Sequence, residues 1–171
     1  PTPLGKRCIV IHAVSVGEVN AIRLLVAALD EALPEHEVVV ATTTDTGFER
    51  AYALFRGRHR VVRYPFDASI AVRRFLDAVR PEAVLLVELE VWPNFTKACA
   101  KRDIPVVVVN GRLSARSYGR YRRIRALVRP SFARLAAAAV QDDAYAERFV
   151  GLGAPASTVT VTGTMKWDTA A

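Results

Sequence analysis

The stretch His12-Ala13-Val14-Ser15-Val16-Gly17-Glu18 decides how the rest of the chain is interpreted. It follows an apolar run, Cys8 to Ile11, and opens a pattern of apolar residues at helical spacing that continues to Leu29. This order predicts a first β-strand, a tight turn at Gly17 and a first helix. In open parallel sheets, ligands bind outside the carboxyl ends of the strands, which is where this turn would lie.

Glu18 allows two interpretations. A carboxylate in the first turn of a helix interacts favourably with the free backbone N–H groups and the macrodipole, which contributes about 0.3–1 kcal/mol. Acidic first turns are common for this reason. The alternative is a general base at a cleft, because the turn lies at the ligand-binding edge of the predicted sheet.

Length and composition are those of one folded domain. The 171 residues are 51% hydrophobic and 24% charged, enough for one buried core and too few for two domains of ordinary size. A net charge of +7 indicates an anionic partner, either nucleic acid, a phosphorylated substrate or a membrane surface. The two cysteines, Cys8 and Cys99, form no CxxC pattern, and we expect both to be buried and reduced.

Apolar runs alternate with helical patterns along the whole chain. Strands are predicted at 8–11, 37–42, 60–64, 84–87, 105–110, 136–140 and 159–162. The runs are continuous rather than alternating, as expected when helices cover both faces of a sheet. Thr46 and Glu49 have the spacing of a capping box and predict a helix start. We therefore expect a single Rossmann-like domain over residues 1–171, a three-layer α/β/α fold with a mostly parallel sheet.

The usual signatures of cofactor and metal chemistry are missing from the sequence. The first turn has a single glycine and so lacks the G-x-G-x-x-G fingerprint, and there is no Walker sequence, H-E-x-x-H or cluster of metal ligands. His12, at the end of the first strand, is interpreted as a hydrogen-bonded structural residue rather than a ligand. We expect neither a metal nor a cofactor.

Polar segments follow four of the predicted strands: Ser15–Glu18, Thr42–Gly47, Glu88–Asn94 and Asn110–Ser117. Because function concentrates at the carboxyl ends of such strands, we expect these segments to carry the chemistry. Glu88 and Glu90 flank Leu89 just after a buried strand, so at least one carboxylate should face the cleft. A pair of solvated loop acids would give the same pattern.

Arginines are concentrated in two groups. Between Arg112 and Arg129 the sequence has seven arginines and no acidic residue, both ends included. On a helix these would form two faces, Arg116, Arg120 and Arg123 on one and Arg122, Arg125 and Arg129 on the other. The second group consists of Arg56, Arg58, Arg60 and Arg63. Such runs are often solvated faces, but unbalanced arginines repel one another, so we expect at least one group to bind an anion.

Four motifs resemble those of the 3-deoxy-D-manno-octulosonic acid (Kdo) transferases. They are V-S-V-G-E at 14–18, E-L-E-V-W-P-N at 88–94, N-G-R-L-S-A-R-S at 110–117 and V-T-G-T-M-K-W-D at 161–168. Together they cover nearly the whole chain in the order found in the family. One departure is Gly111, where the family usually has Ala or Ser.

The resemblance implies a GT-B glycosyltransferase with two facing Rossmann-like domains. Such an enzyme transfers Kdo from CMP-Kdo to a lipid A precursor in lipopolysaccharide biosynthesis, at the cytoplasmic face of the bacterial inner membrane. The chain resembles the N-terminal, acceptor-binding half. The donor-binding domain and the N-terminal membrane anchor of the family would be absent from it, so we expect this fragment to be soluble and inactive by itself.

The resemblance also implies roles for individual residues. Glu18 would be the general base of an inverting transfer, supported by Glu88. The candidates for binding the acceptor and its phosphates are Ser15, Gly17, Thr43, Thr44, Glu90, Asn110, Arg112, Ser114 and Arg116. Lys166 is the candidate on the donor side. The basic surface would face the phosphates of the acceptor and an anionic membrane.

Two alternatives remain open from the sequence. Another GT-B glycosyltransferase acting on lipid-linked sugars would share the fold but not the motifs at 88–94 and 110–117. A basic nucleic-acid-binding α/β module would explain the charge. Against it, the aromatic residues are not interleaved with the basic runs beyond Tyr118 and Tyr121, so we expect no nucleic acid partner.

Overall fold

The computed structural model describes residues 7–165, which contain seven strands and eight helices. The strands are β1 (Arg7–His12), β2 (His36–Thr42), β3 (Arg60–Arg63), β4 (Ala83–Val87), β5 (Val106–Gly111), β6 (Ala137–Val140) and β7 (Val159–Val161). The helices are α1 (Val16–Ala21), α2 (Arg23–Ala32), α3 (Asp45–Phe55), α4 (Ser69–Val79), α5 (Pro93–Ala100), α6 (Ala115–Arg123), α7 (Arg125–Ala133) and α8 (Asp143–Leu152). A short 3-10 turn, Ala156–Thr158, precedes β7.

The strands form one sheet in the order β3-β2-β1-β4-β5-β6-β7. The pairs β1–β2, β2–β3, β5–β6 and β6–β7 are parallel. In β1, Arg7 to His12 pair residue by residue with His36 to Ala41 of β2. Because the strands extend in both directions from β1 and β4, this is the order of a doubly wound sheet. The Rossmann-like fold expected from the sequence is confirmed.

Residue contacts divide the chain into two compact units. One extends to Leu85 and includes Met165, and the other is Leu86–Thr164. Each has its own buried apolar residues: Val10, Ile11, Val39, Val40 and Ala51 in the first, and Phe95, Val108, Phe132, Phe149 and Leu152 in the second. The organisation of residues 1–171 as a single domain stays a prediction.

The first strand–helix turn differs from the expectation in where the helix begins. Gly17 is the second residue of α1 and does not form the turn. The helix begins earlier because the Ser15 side chain accepts the Glu18 backbone N–H and so caps it. The helical pattern that continues to Leu29 spans two helices, since Ile22 lies between α1 and α2.

The capping box expected at Thr46 is wrong. The N-cap of α3 is Thr44, whose side chain accepts the backbone N–H of Gly47. Thr46 is the second residue of the helix.

The arginine-rich segment also folds differently from the prediction. It forms two helices, and the second, α7, begins at Arg125 and contains Pro130. Ile124 separates α6 from α7, so Arg122 and Arg125 do not lie on one continuous helix. The predicted second arginine face is therefore wrong. No helix among residues 7–165 combines the length and the hydropathy needed to cross a bilayer.

Candidate active site

Glu18 is folded back onto the turn that precedes it. Its Oε2 accepts the backbone N–H of Val14 at 2.9 Å, and its Oε1 accepts the Ser15 hydroxyl at 2.9 Å. The Glu18 backbone N–H donates to the Ser15 oxygen at 3.3 Å. Ser15 caps the helix as in a capping box, but the Glu18 side chain binds the Ser15 hydroxyl and the N–H of Val14, one residue before the cap. These contacts fix the carboxylate at the start of the helix that follows β1.

The turn after β2 is tied to the turn after β1. The Thr44 hydroxyl donates to the Val14 carbonyl at 2.7 Å and accepts the Gly47 N–H at 3.1 Å. The first unit therefore brings together three of the predicted site residues, Ser15, Glu18 and Thr44.

Three other residues near these turns were considered in the sequence analysis: Thr43, Gly17 and His12. Thr43 and Gly17 are exposed, and a Cβ at position 17 would meet only the Ser15 hydroxyl, at 3.8 Å. His12 is fully buried, its Nδ1 lies 3.1 Å from the Ala41 carbonyl, and its ring stacks on Tyr64 with centroids 3.5 Å apart. The structural role expected for His12 is confirmed.

Glu88 lies directly after β4 in an unusual backbone conformation. Its φ is 60°, in the left-handed region that non-glycine residues seldom adopt. Its backbone N–H donates to the Val109 carbonyl at 3.0 Å. Strained backbone of this kind is concentrated at functional sites, which makes Glu88 a candidate on structural grounds as well as by motif.

Glu90 is committed to its neighbours in the same segment. Its Oε2 accepts the indole N–H of Trp92 at 2.7 Å. Burial, with a smaller contribution from the Glu90 charge, raises the pKa of the Tyr121 phenol on α6. Glu90 therefore lies close enough to α6 for its charge to act on the Tyr121 phenol.

Asn110 and Gln141 form a pair that sequence reasoning missed. Asn110 has a φ of 53° and lies where the register of β5 against β6 shifts. The Gln141 side-chain amide donates to the Asn110 backbone carbonyl at 3.2 Å and to its Oδ1 at 3.1 Å. With 2% of its surface exposed, Asn110 is placed to hold the end of β5 rather than to present its amide to solvent. The position of Gln141 just after β6 was the only available signal.

The remaining residues of the 110–117 motif shape the start of α6. A Cβ at Gly111 would lie 2.8 Å from Val140 Cγ1 and 3.2 Å from the Ala139 carbonyl, which explains the small residue there. Ser114 caps α6 by accepting the Ser117 N–H at 3.2 Å. Arg112 and Arg116 are exposed.

The arginines between Arg112 and Arg129 divide into two kinds. Arg125 donates its Nε–H to the Gly151 carbonyl at 2.8 Å, and Arg129 packs so closely on Gly153 that a Cβ there would lie 2.6 Å from its Cγ. These two therefore connect α7 to the end of α8. The four arginines of α6 are of the second kind: they are exposed and take part in none of the ion pairs between described residues. They are Arg116, Arg120, Arg122 and Arg123.

The second basic group is largely occupied by internal partners. Arg58 pairs with Asp30 at 3.5 Å, Arg60 with Glu37 at 2.6 Å and Arg63 with Asp45 at 2.7 Å. The guanidinium of Arg56 lies over the Tyr52 ring, 5.2 Å from its centroid, and that of Arg63 lies 4.3 Å from the centroid of Phe48. Internal pairing leaves this group less able to bind an external anion than the arginines of α6.

Three further predictions concern groups outside these turns. Cys8 and Cys99 are buried free thiols, as expected. Among the described residues, no group of three or more His, Cys, Asp or Glu side chains is arranged to hold a metal ion. Lys166, the donor-side candidate, lies outside the described residues.

The sheet order and the parallel strand pairs define a Rossmann-like α/β fold, with the Glu18 carboxylate held at the start of the helix that follows β1. Comparison of sequences then identifies the family. The chain belongs to the family described as 3-deoxy-D-manno-octulosonic acid transferase, or Kdo transferase, whose sequence model matches residues 2–169.

Individual relatives agree with this assignment. A 3-deoxy-D-manno-octulosonic acid transferase from Haemophilus influenzae is 37% identical over 168 residues, which are 98% of this chain and 39% of that protein. A bifunctional glycosyltransferase/methyltransferase from Fusobacterium nucleatum is 32% identical over 160 residues, 92% of this chain and 25% of that protein. The chain therefore spans well under half of either relative.

Solved structures support the fold. A UDP-GlcNAc 2-epimerase from Neisseria meningitidis, bound to UDP-GlcNAc, superposes with a TM-score of 0.67 at 13% sequence identity. The match covers 95% of this chain and 48% of that one. At this level of identity the likeness concerns the fold alone.

Proposed function

We propose that the protein carrying this chain transfers Kdo from CMP-Kdo to a lipid A precursor, with inversion at the anomeric carbon and Glu18 as the general base. The observation that carries the proposal is the family match over residues 2–169, together with the fixed position of Glu18 directly after β1. The chain would supply the acceptor side of the reaction, and the rest of the protein would bind CMP-Kdo.

The transfer reaction has two requirements, removal of a proton from the acceptor and departure of CMP from the donor. A hydroxyl of the acceptor must lose its proton as its oxygen attacks the anomeric carbon of Kdo. On the opposite face, the bond from that carbon to the phosphate oxygen breaks, and CMP leaves with the bonding electrons. A single displacement of this kind inverts the configuration.

Glu18 is suited to take the proton. Each of its oxygens accepts one hydrogen bond, from Val14 or from Ser15. A carboxylate has about four acceptor sites, so it can still accept from the acceptor hydroxyl. Because two donors already fix its orientation, little conformational freedom is lost on binding, and a well-oriented base is an efficient one.

Glu88 supports the reaction in this proposal, as the family resemblance implies. Its left-handed backbone is maintained by the hydrogen bond of its N–H to Val109, and such strain is tolerated where function requires a particular geometry. Glu90, held by Trp92, has the narrower task of fixing the segment 88–94.

In this proposal, the exposed arginines of α6 bind the anionic partners of the protein. Guanidinium groups bind phosphate oxygens through paired N–H donors. We assign Arg116, Arg120, Arg122 and Arg123 to the phosphates of the acceptor and to an anionic membrane surface. The protein would therefore act at the cytoplasmic face of the inner membrane, in lipopolysaccharide biosynthesis, without a metal or other cofactor.

A donor screen with the complete protein tests the proposal. The protein is incubated with a lipid A precursor and, separately, with CMP-Kdo, another CMP-sugar of the nonulosonic acid class and UDP-N-acetylglucosamine. We expect release of CMP and a product heavier by one or more Kdo units with CMP-Kdo only. Transfer from the UDP-sugar alone would favour another GT-B glycosyltransferase and contradict the proposal.

A second measurement separates the proposal from nucleic acid binding. In a filter-binding assay titrated with salt, we expect the protein to hold short DNA and RNA no more tightly than it holds other polyanions of similar charge. Sequence-dependent binding that persists at physiological salt would contradict the proposal.

A further inference from the structure

Thr44 makes two hydrogen bonds that join the turn after β1 to the turn after β2. Its hydroxyl donates to the Val14 carbonyl at 2.7 Å, and its oxygen accepts the Gly47 N–H at 3.1 Å. A hydroxyl has one proton, and in Thr44 that proton is used on Val14. The proton of this side chain is therefore committed within the protein, and the acceptor-binding role expected for Thr44 from the sequence stays a prediction.

Val14 is in turn the residue that holds Glu18. Its backbone N–H donates to Glu18 Oε2 at 2.9 Å. On one side of it, the Ala13 N–H donates to the Ala41 carbonyl at 3.0 Å and so prolongs the pairing of β1 with β2. On the other side, its carbonyl is bound by Thr44. With both flanking peptides anchored, the Val14 N–H has a fixed direction, toward the Glu18 carboxylate.

Gly47 permits this contact by having no side chain. A Cβ at this position would lie 2.5 Å from the Val14 carbonyl oxygen and 2.7 Å from the Thr44 hydroxyl. Its φ is outside the left-handed region, so glycine is needed here for space and not for conformation. The first turn of α3 is thus packed directly on the backbone that holds Glu18.

We propose that Thr44 and Gly47 are positioning residues for Glu18, acting through the Val14 peptide. This inference rests on the proposed function, in which Glu18 is the general base. In this inference, the turn after β2 fixes the orientation of Glu18 in the turn after β1. Contacts to the acceptor from the turn after β2 would then come from other residues, such as the exposed Thr43.

Three substitutions of Thr44 in the complete transferase separate its two hydrogen bonds. Thr44→Ser keeps both bonds. Thr44→Asp keeps the cap of α3, since Asp is a preferred N-cap residue, but an ionised carboxylate has no proton to donate to Val14. Thr44→Val removes both bonds. Gly47→Ala puts a Cβ against both the Val14 carbonyl and the Thr44 hydroxyl, and so disturbs the contact between the two turns without changing the residue at position 44.

The expected results follow from the loss of orientation at the base. Misplacement of a catalytic group by about 1 Å can cost about 10²-fold, so we expect Thr44→Asp and Thr44→Val to lower kcat by roughly tenfold to 10²-fold. The KM for the acceptor should change little, and Thr44→Ser should restore most of the turnover. A thermal melt of each variant reports folding, and Thr44→Asp should melt close to the wild type because its helix cap is intact.

A double-mutant cycle with Glu18→Gln tests the coupling directly. Once the base is removed, Thr44→Asp should have little further effect on kcat, because residues that act through one another are not additive. An equal loss from Thr44→Asp in the presence and absence of Glu18 would overturn the inference. A raised acceptor KM with unchanged kcat would also overturn it, since Thr44 would then contact the acceptor.

The same cycle distinguishes failure of this inference from failure of the proposed function. Wild-type turnover in Glu18→Gln would reject the base itself, and the positioning role with it. A strong loss in Glu18→Gln beside unchanged turnover in both Thr44→Asp and Gly47→Ala would reject only the positioning role.

Discussion

Trp92 donates its indole N–H to Oε2 of Glu90 at 2.7 Å, within the acidic segment that follows β4. The pair shows how two carboxylates separated by one residue come to differ. The Glu90 carboxylate is bound by its own segment, whereas Glu88 has a left-handed backbone whose N–H donates to the Val109 carbonyl.

The first prediction compares these two acids. Glu90→Gln removes the charge but keeps an oxygen that can accept the Trp92 N–H. We therefore expect a smaller loss of turnover than in Glu88→Gln, where we expect a loss of roughly 10²-fold as for other electrostatic groups of an active site. Steady-state transfer from CMP-Kdo measures both. A larger loss in Glu90→Gln would reverse the assignment.

The second prediction concerns the backbone at Asn110. Substitution by Gly or Ala removes the same side-chain hydrogen bond, but only Ala is strained at a φ of 53°. Because the left-handed conformation costs an L-residue about 1–2 kcal/mol, the Gly variant should be the more stable by about that amount. Thermal melting of the two variants measures the difference. Equal stability, or a more stable Ala variant, would contradict it.

The third prediction places membrane binding on α6. Arg120 and Arg123, three residues apart on one helix face, are both replaced by Gln. Each basic residue near an anionic leaflet contributes about 1 kcal/mol, so co-sedimentation with anionic liposomes should weaken by about 2 kcal/mol. Replacement of Arg73 and Arg74 on α4 is the charge-matched control and should have less effect.

The salt dependence of liposome binding tests whether α6 acts through its charge. Binding should fall as salt is added, because exposed charges are screened over about 8–10 Å at physiological ionic strength. Equal binding to neutral liposomes at high salt would rule out the electrostatic role, and so would an equal loss from the α4 pair.

The fourth prediction concerns the two thiols. Burial raises the pKa of Cys8 to about 11 and that of Cys99 to about 12. Since the thiolate is the reactive form, both should resist thiol reagents between pH 7 and about 9, and react as the pH approaches those values or when the protein unfolds. Peptide mass spectrometry after labelling measures this at each cysteine. Rapid labelling of either at pH 8 in the native protein would contradict it.

The sequence predicts the strands and the polar segments well because these depend on local pattern. Continuous apolar runs locate all seven strands of residues 7–165 to within a few residues. The N-cap of α3 was missed for a physical reason. Several threonines between Thr42 and Thr46 can cap a helix, and contact with the Val14 carbonyl, 30 residues away, selects Thr44.

Long-range pairing also explains the other misses. The hydrogen bonds of Gln141 to Asn110 and of Arg125 to Gly151 join residues 31 and 26 positions apart. No local pattern shows that Arg125 serves packing while Arg120 stays exposed. The packing of the helices decides which partner each arginine has. It therefore also decides which arginines of the segment are exposed.

The most direct test of the account is Glu18→Gln in the complete transferase. Gln at the third position of the helix can still accept the Val14 N–H, so folding should be preserved. Loss of a general base typically costs about 10²–10⁴-fold, and we expect a loss of turnover in that range at saturating CMP-Kdo. Glu49→Gln, at an exposed acid on α3, is the matched control and should keep wild-type turnover. Turnover of Glu18→Gln within a few-fold of wild type, with an unchanged melting temperature, would show that Glu18 only stabilises the start of α1.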